Sequence, residues 1–446
     1  MAVTARKRIL GWYFFDWASQ PYATLLMTFV FAPYVQEILG DGSLAQAVWG
    51  YGIGAAGVVI ALLAPLLGAM ADRSGGRMGF VGLFSVLYAL GAWGLWVARP
   101  DDPNLLFVML CFGLGLAAME FATIFTNALL PGLGSRAELG RISGSGWAFG
   151  YLGGLISLIL MLCFLAENAA TGRTLFGLPP LFGLDPALRE GTRAVGPLTA
   201  IWYLVFMVPF FLWVRDPGVI APVPIAQAAR EALPRLKTTL RTLPARRSLS
   251  AYLASSMLYR DALNGMYTFG GIYAAGVLGW SVTDVGKFGL LAVLTGAVFA
   301  WIGGKADDRF GPKPVIALNV VILALVAFAI TQVSRSSVFG TVVAADSWLP
   351  DAAFYILGAL IGAAGGALQA ASRTMLVRQS DPAHLTEAFG LYALAGKATA
   401  FLAPITIGIT TQLSGSQQAG IVPLIVLFLL GLGLLLWVKP EGESPA

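Results

Sequence analysis

Apolar, almost uncharged runs about as long as a bilayer is thick recur along this chain from one end to the other, and no other feature constrains its fold as strongly. The run VPLIVLFLLGLGLLLWV, residues 422–438, is apolar on every side and lacks the period-2 alternation of a membrane barrel strand. Within lipid every backbone polar group needs a partner in the protein, which leaves the α-helix as the spanning element. Mean hydropathy is +0.77. With 57% hydrophobic and 11% charged residues, against about 25% charged in a soluble domain, the spans are the body of the protein rather than an appended anchor.

At about 20 residues per crossing, the sequence predicts an all-α integral membrane protein of twelve helices. They cover residues 11–38, 45–70, 79–98, 105–130, 143–165, 198–214, 249–278, 285–303, 314–332, 351–376, 388–412 and 418–438. The expected division is 1–215 as an N-terminal six-helix half, 216–247 as a cytoplasmic linker and 248–446 as a C-terminal six-helix half. If the N-terminus is cytoplasmic, 20 of the 28 Lys and Arg fall on that face. Six lie opposite (Arg99, Arg173, Arg189, Arg193, Lys287 and Arg335), and Arg260 and Lys397 lie inside spans. This asymmetry follows the positive-inside rule and places both termini in the cytoplasm. The net charge of +5 therefore reports topology rather than a nucleic-acid partner. From residue 225 on, the linker carries Arg230, Arg235, Lys237, Arg241, Arg246 and Arg247 against Glu231 alone; Leu233, Leu236, Leu240 and Leu243 recur at helical spacing. An interfacial helix drawn to anionic lipid headgroups is expected there. The other long connection, Glu167 to Pro197, is expected to cover the outer face. The first apolar run follows Arg6, Lys7 and Arg8 but is too long for a signal-peptide core, so it is expected to be an uncleaved helix.

Enzyme chemistry finds no foothold. Cys111 and Cys163 sit in apolar runs as small hydrophobes, and His384 lies in a polar stretch as a solvated loop residue. There is no metal-spaced His and Cys cluster, nucleophile elbow or phosphate-cradling loop, so no cofactor or metal is expected.

An internal repeat gives the organisation. GAMADRSGGR and GKADDRFGPK, read as the loops after helices two and eight, match at Gly68, Asp72, Arg73, Gly75 and Arg77 against Gly304, Asp308, Arg309, Gly311 and Lys313. The shared offset and equivalent placement indicate parallel halves. The segments resemble the signature of the major facilitator transporters between helices two and three, although Gly76 and Pro312 replace the first of its two terminal basic positions. That resemblance implies two six-helix halves, alternating access, and a conformational latch formed by Gly68, Asp72, Arg73, Arg77, Gly304, Asp308, Arg309 and Lys313. A narrower resemblance rests on GWYFFDWASQPYATLLMTFVFAPY, MEFATIFTNALLPGL, GRISGSGWAFGYLGGL, LYRDALNGMYTFGGIYA and GGALQAASRTMLVRQSDPAHLTEAFGLYALAGKATAFLAP. These resemble the vacuole-effluxer-like family, named for a yeast vacuolar exporter of amino acids linked to autophagy and including many bacterial members. The resemblance implies a monomeric exporter in a bacterial cytoplasmic (inner) membrane.

Ionisable residues within spans cost about 2.5–3.5 kcal/mol on insertion scales, so they face a cavity or a partner. Asp16 and Gln20 share a face of helix one, while Glu120 and Asn127 share one of helix four with Thr123 between them. Arg260, Asp261 and Asn264 lie in helix seven, Gln369 and Arg373 one turn apart in helix ten, and Lys397 between Tyr392 and Phe401 in helix eleven. These ten are the candidate substrate- or proton-binding residues. A zwitterion needs both an anion-recognising and a cation-recognising group, and this set offers both. The expected function is proton-coupled export of amino acids or similar small zwitterions. Alternatives are export of apolar or amphiphilic molecules, a non-transporting scaffold or a scramblase, and a purely structural pairing of Asp16 and Asp261 with Arg260 and Lys397. The expected partners are the small-molecule substrate, the bilayer and a coupling proton.

Overall fold

The computed structural model describes residues 4–39, 42–216, 222–280, 282–344 and 346–443; residues 217–221 of the expected linker lie outside the described residues. In chain order the elements are α1 (Ala5–Pro21), a π-helical stretch (Tyr22–Phe29), α2 (Phe31–Leu39), α3 (Gly42–Ser74), α4 (Arg77–Gly94), α5 (Leu105–Ala128), α6 (Leu139–Leu160), α7 (Glu190–Arg193) and α8 (Val195–Trp213). They continue with α9 (Ile225–Thr242), α10 (Arg247–Leu278), α11 (Val282–Phe310), α12 (Pro312–Thr331), the hairpin β1 (Ser337–Val338) and β2 (Thr341–Val342), α13 (Leu349–Gln379), α14 (Leu385–Ala398), α15 (Leu402–Ser414), α16 (Gln417–Gly420) and α17 (Val422–Leu435).

Eleven stretches among the described residues are long and apolar enough to cross a bilayer. The twelfth span is α10, whose 32 residues reach about 48 Å at 1.5 Å per residue. Two spans are interrupted, the first beside Pro21, where the sequence leads one to expect a loosened helix, the second in a span expected to be continuous, and proline supplies a reason in each. Pro21 has no N–H for the Trp17 carbonyl; the Trp202 indole donates to that oxygen instead, at 3.1 Å, and the chain widens into the π-helical stretch. In span eleven α14 stops at Ala398, and α15 restarts at Leu402 with Pro404 in its first turn, where a missing N–H costs least.

The chain gathers into two compact units, Met1–Leu133 with Phe149–Ala228, and Gly134–Ala148 with Ala229–Ala446. In the first, α4 packs on α5 and α8, α1 on α8, and α3 on α5. Tyr88 stacks on Tyr203 with ring centroids 3.9 Å apart, and Ser85 shares a 3.0 Å hydrogen bond with the Tyr203 hydroxyl. In the second, α13 packs against both α11 and α12, and α10 against α17. A Cβ at Gly362 would lie 2.0 Å from the Ala292 carbonyl oxygen, and one at Gly366 2.4 Å from that of Gly296. Those glycines set the close approach of α13 to α11.

Two local expectations need correction. The repeated segments are not loops: α3 and α11 run through them to Ser74 and Phe310, since Ala, Met, Lys and Arg offset the weaker Asp and no glycine intervenes between Gly68 or Gly304 and the turn. Each turn is confined to glycine, with Gly75 at φ 69° and Gly311 at φ 83°. The leucines of α9 are not buried together; Ala228, Ala232 and Leu236 are buried, whereas Leu233 and Leu240 are exposed with Ile225. Small alanines fit against the protein more closely than a leucine row would. Among the tryptophans near span ends, Trp348 and Trp437 are exposed. Trp96 lies beneath the buried Arg193, Trp49 packs on Phe112, and the Trp280 indole donates to Asp351 at 2.6 Å.

Candidate functional site

In the first unit the candidate residues cluster where α1 meets α5 and α6. The Trp12 indole donates to the Thr126 carbonyl at 2.8 Å, and the Tyr22 hydroxyl to the Phe112 carbonyl at 2.5 Å. These two ties join antiparallel helices, so Asp16, between Trp12 and Tyr22, comes to the same depth as Glu120, between Phe112 and Thr126. Both acids are half-buried. From the other side α6 presses on the same stretch: a Cβ at Gly150 would lie 3.1 Å from that of Asp16, and one at Gly154 2.8 Å from Gln20 Cγ and 2.5 Å from Thr24 Oγ1. Asn127 is buried and its Oδ1 has no hydrogen-bond partner among the described residues. A buried amide oxygen in that condition is a ready acceptor for a ligand donor.

In the second unit α10 is the organiser. Its Tyr252 hydroxyl donates to the Ser372 carbonyl at 2.6 Å and its Tyr259 hydroxyl pairs with Ser372 Oγ at 2.8 Å, fixing α10 to α13 beside Arg373. The Arg260 guanidinium lies 4.0 Å over the Tyr392 ring and donates to the Tyr392 carbonyl at 3.2 Å. Asp261 points elsewhere. Buried, it accepts the Ala403 N–H at 2.8 Å and caps the restarted half-helix α15, where the helix dipole favours a carboxylate. Lys397 occupies the last turn of α14, just before the interruption. Arg373 is only 3% exposed and lies 4.3 Å over the Trp147 ring, so it does not snorkel toward headgroups. Gln369 is half-buried one turn away. Asn264, Tyr267 and Thr268 share an exposed face of α10, a polar surface unsuited to lipid.

The two copies of the repeat make different contacts. In the first, Asp72 and Arg77 form a buried 2.8 Å ion pair, with Asp216 3.5 Å from the same guanidinium. In the second, Lys313 instead donates to the Val438 carbonyl at 2.7 Å at the end of α17. Asp308 accepts the Arg141 N–H at 2.9 Å at the start of α6, whose Gly140 and Gly144 lie directly against Gly304. The neighbouring Asp307 is buried and hydrogen-bonded to the Thr374 hydroxyl. Gly68 is buried, whereas Arg309 is exposed and stacks on Phe310.

Residues 42–443 match the family model described as "Vacuole effluxer Atg22 like". The chain belongs to this family. The uncharacterized MFS-type transporter YxiO of Bacillus subtilis is 24% identical over 98% of this chain and 96% of its own length. Autophagy-related protein 22 of Cryptococcus neoformans is 22% identical over 66% of this chain and 52% of its own. The corresponding Yarrowia lipolytica protein is 24% identical over 68% and 50%. The chain thus spans about half the length of these fungal relatives. Among solved structures, the major facilitator transporter FucP in its outward conformation superposes with a TM-score of 0.71 at 14% identity, covering 98% of this chain and 99% of that one. The proton:xylose symporter XylE gives 0.67 at 12% identity over 98% and 97%. At these identities the likeness establishes the twelve-helix major facilitator fold. Family and fold together make this Atg22-like protein a multi-pass membrane transporter of a small-molecule substrate and not an enzyme.

Some residues of these networks were not singled out from the sequence. Ser372, Trp147 and Asp307 carry no spacing that marks them in the sequence, and only the fold brings them to Tyr259, Arg373 and Thr374. Glu387 is buried, with Arg235 Nε at 3.4 Å and the Thr239 hydroxyl at 2.5 Å, which fixes α9 to α14 beside a cavity of about 110 Å³. At its rim, outside the spans, the Ala383 N–H and the neighbouring His384 help hold the Asp381 carboxyl below its ordinary value.

Proposed function

We propose that this Atg22-like protein exports amino acids or similar small zwitterions by alternating access, driven by protons. The observation that carries this reading is where its two interrupted spans break. Gln20 lies two residues before the π-helical stretch of span one with Asp16 one turn further back on the same face, and Lys397 immediately precedes the gap between α14 and α15 that Asp261 caps. Discontinuous helices with polar residues at the break are the usual construction of transporter sites, since unwound backbone persists at membrane depth only beside protein or water. In this reading Asp16 and Glu120 carry the proton, with Gln20 and Asn127 orienting it. Arg260 and Lys397 recognise a carboxylate, with Asn264, Gln369 and Arg373 beside them.

The test is flux through the purified full-length protein in proteoliposomes. A panel of labelled amino acids should include at least one with saturable transport that a pH gradient accelerates. Lys397→Met should raise its KM by roughly 10–100-fold, the equivalent of a 1.5–3 kcal/mol hydrogen bond to a charged group. Saturable flux of apolar compounds alone would transfer the protein to the amphiphile-export reading. Absence of all flux would leave a scaffold.

On the same proposal both termini lie in the cytoplasm, 1–215 and 248–446 are the two six-helix halves, and the exposed face of α9 rests against anionic headgroups. The protein is then a monomer in a bacterial cytoplasmic membrane. The 20 to 6 distribution of basic residues supports that orientation. Cysteines introduced at exposed positions of 228–245 should label from the cytoplasmic side alone; labelling from outside intact cells would overturn it.

A further inference from the structure

We propose that residues 174–184 form a hydrophobic wedge seated in the bilayer leaflet on their side of the protein. The segment TLFGLPPLFGL has no charged residue and is bounded by Arg173 and Asp185. It also exposes an unusual amount of large apolar surface: Leu175 is 73% exposed, Phe176 62% and Phe182 89%, with Leu178 and Leu181 beside them. A contiguous apolar patch on a connection calls for an occupant.

Continuity with the lipid-facing surface identifies that occupant. The Leu175 N–H donates to the Leu162 carbonyl at 3.0 Å, and the Phe176 ring meets Phe164 edge-on at 5.6 Å. The segment is thereby docked on the end of span five, below which Ile156, Ile159 and Leu160 already face outward. The apolar belt of that span runs on into the segment without a polar break.

Local hydrogen bonds also suit the segment to lipid. Thr174 N–H donates to the Leu178 carbonyl and Gly177 N–H to that of Thr174, each at 2.8 Å, while Arg173 donates to the Gly177 carbonyl at 2.7 Å. Pro179 and Pro180 have no N–H to satisfy. Arg173 and Asp185, which flank the segment in the chain, supply the charges that headgroups would meet. Phe182 holds a left-handed φ of 62°, a conformation unfavourable for a residue with a Cβ, which turns its ring away from the protein. These features describe an interfacial anchor, and they hold in either orientation of the chain.

The experiment uses full-length protein with Cys111→Ser and Cys163→Ser, carrying a single cysteine as Leu175→Cys, Phe182→Cys or, in the polar turn, Ala170→Cys. Each is labelled with an environment-sensitive fluorophore in proteoliposomes. Positions 175 and 182 should emit blue-shifted and be quenched by spin-labelled lipid, whereas position 170 should be quenched by aqueous iodide. Iodide quenching at 175 and 182 without lipid quenching overturns the proposal. So does a blue shift that lipid does not quench, which would indicate cover by a second copy or another protein. If the cysteine-free background fails to fold, a photo-crosslinking residue in place of Phe182 in the native background decides: lipid adducts support the wedge and protein adducts refute it.

Discussion

Asp16→Asn and Glu120→Gln are each expected to abolish pH-gradient-driven net flux while counterflow exchange of substrate survives at least in part. An amide keeps the shape and hydrogen-bonding of the protonated acid but can neither take up nor release a proton, so it uncouples substrate movement from the pH gradient while the substrate-loaded carrier can still reorient and exchange. The ties Trp12 to Thr126 and Tyr22 to Phe112 bring the two acids to one depth, and the helix interruption beginning at Tyr22 lies less than two turns beyond Asp16. Proteoliposomes loaded with substrate, assayed with and without a pH gradient, separate the two activities. If both variants retain full pH-driven flux, neither acid is the proton site. Loss of exchange as well would assign the acids to substrate binding or to structure.

The second large effect is expected at the repeated motif, and it is expected to be unequal. Asp72→Asn removes the charge from a buried pair with Arg77, at a cost of about 1.5–3 kcal/mol for a hydrogen bond to a charged group. In the conformation seen here that is roughly a 10–100-fold change in the balance between inward- and outward-open states. Asp308→Asn leaves an oxygen able to accept the Arg141 N–H at the start of α6, and asparagine is as good a helix cap as aspartate, so its shift should be a few-fold at most. Cysteine accessibility from the two faces measures both variants. Equal shifts, or no shift in Asp72→Asn with normal flux, would remove the latch role.

Pattern and spacing made much of this protein legible. Apolar runs require helices because lipid offers the backbone no hydrogen bonds, and the count of spans follows from length alone. The repeat was visible as five identities or near-identities at one offset, since both copies turn at a glycine of positive φ. Buried charges stood out because an apolar span carries few without cause. The interruptions were half visible: Pro21 marked one, but Pro404 lay in a span read as continuous, because a proline in an apolar run can equally sit inside a helix, as Pro209 does in α8.

What the sequence determined by itself is therefore the class of object: a twelve-helix membrane protein built as a repeat, with its charged residues confined to a few positions. Those properties depend on composition and periodicity, which each segment carries independently of the others. Tertiary structure decided what those residues do. Asp261 caps α15 rather than simply standing beside Arg260, Arg373 is buried against Trp147 rather than reaching for headgroups, and Asp72 and Asp308, equivalent in sequence, engage a guanidinium in one copy and a helix N-terminus in the other. A side chain's partner is set by which helix is brought within about 3 Å of it, and that is a property of packing across segments far apart in the chain.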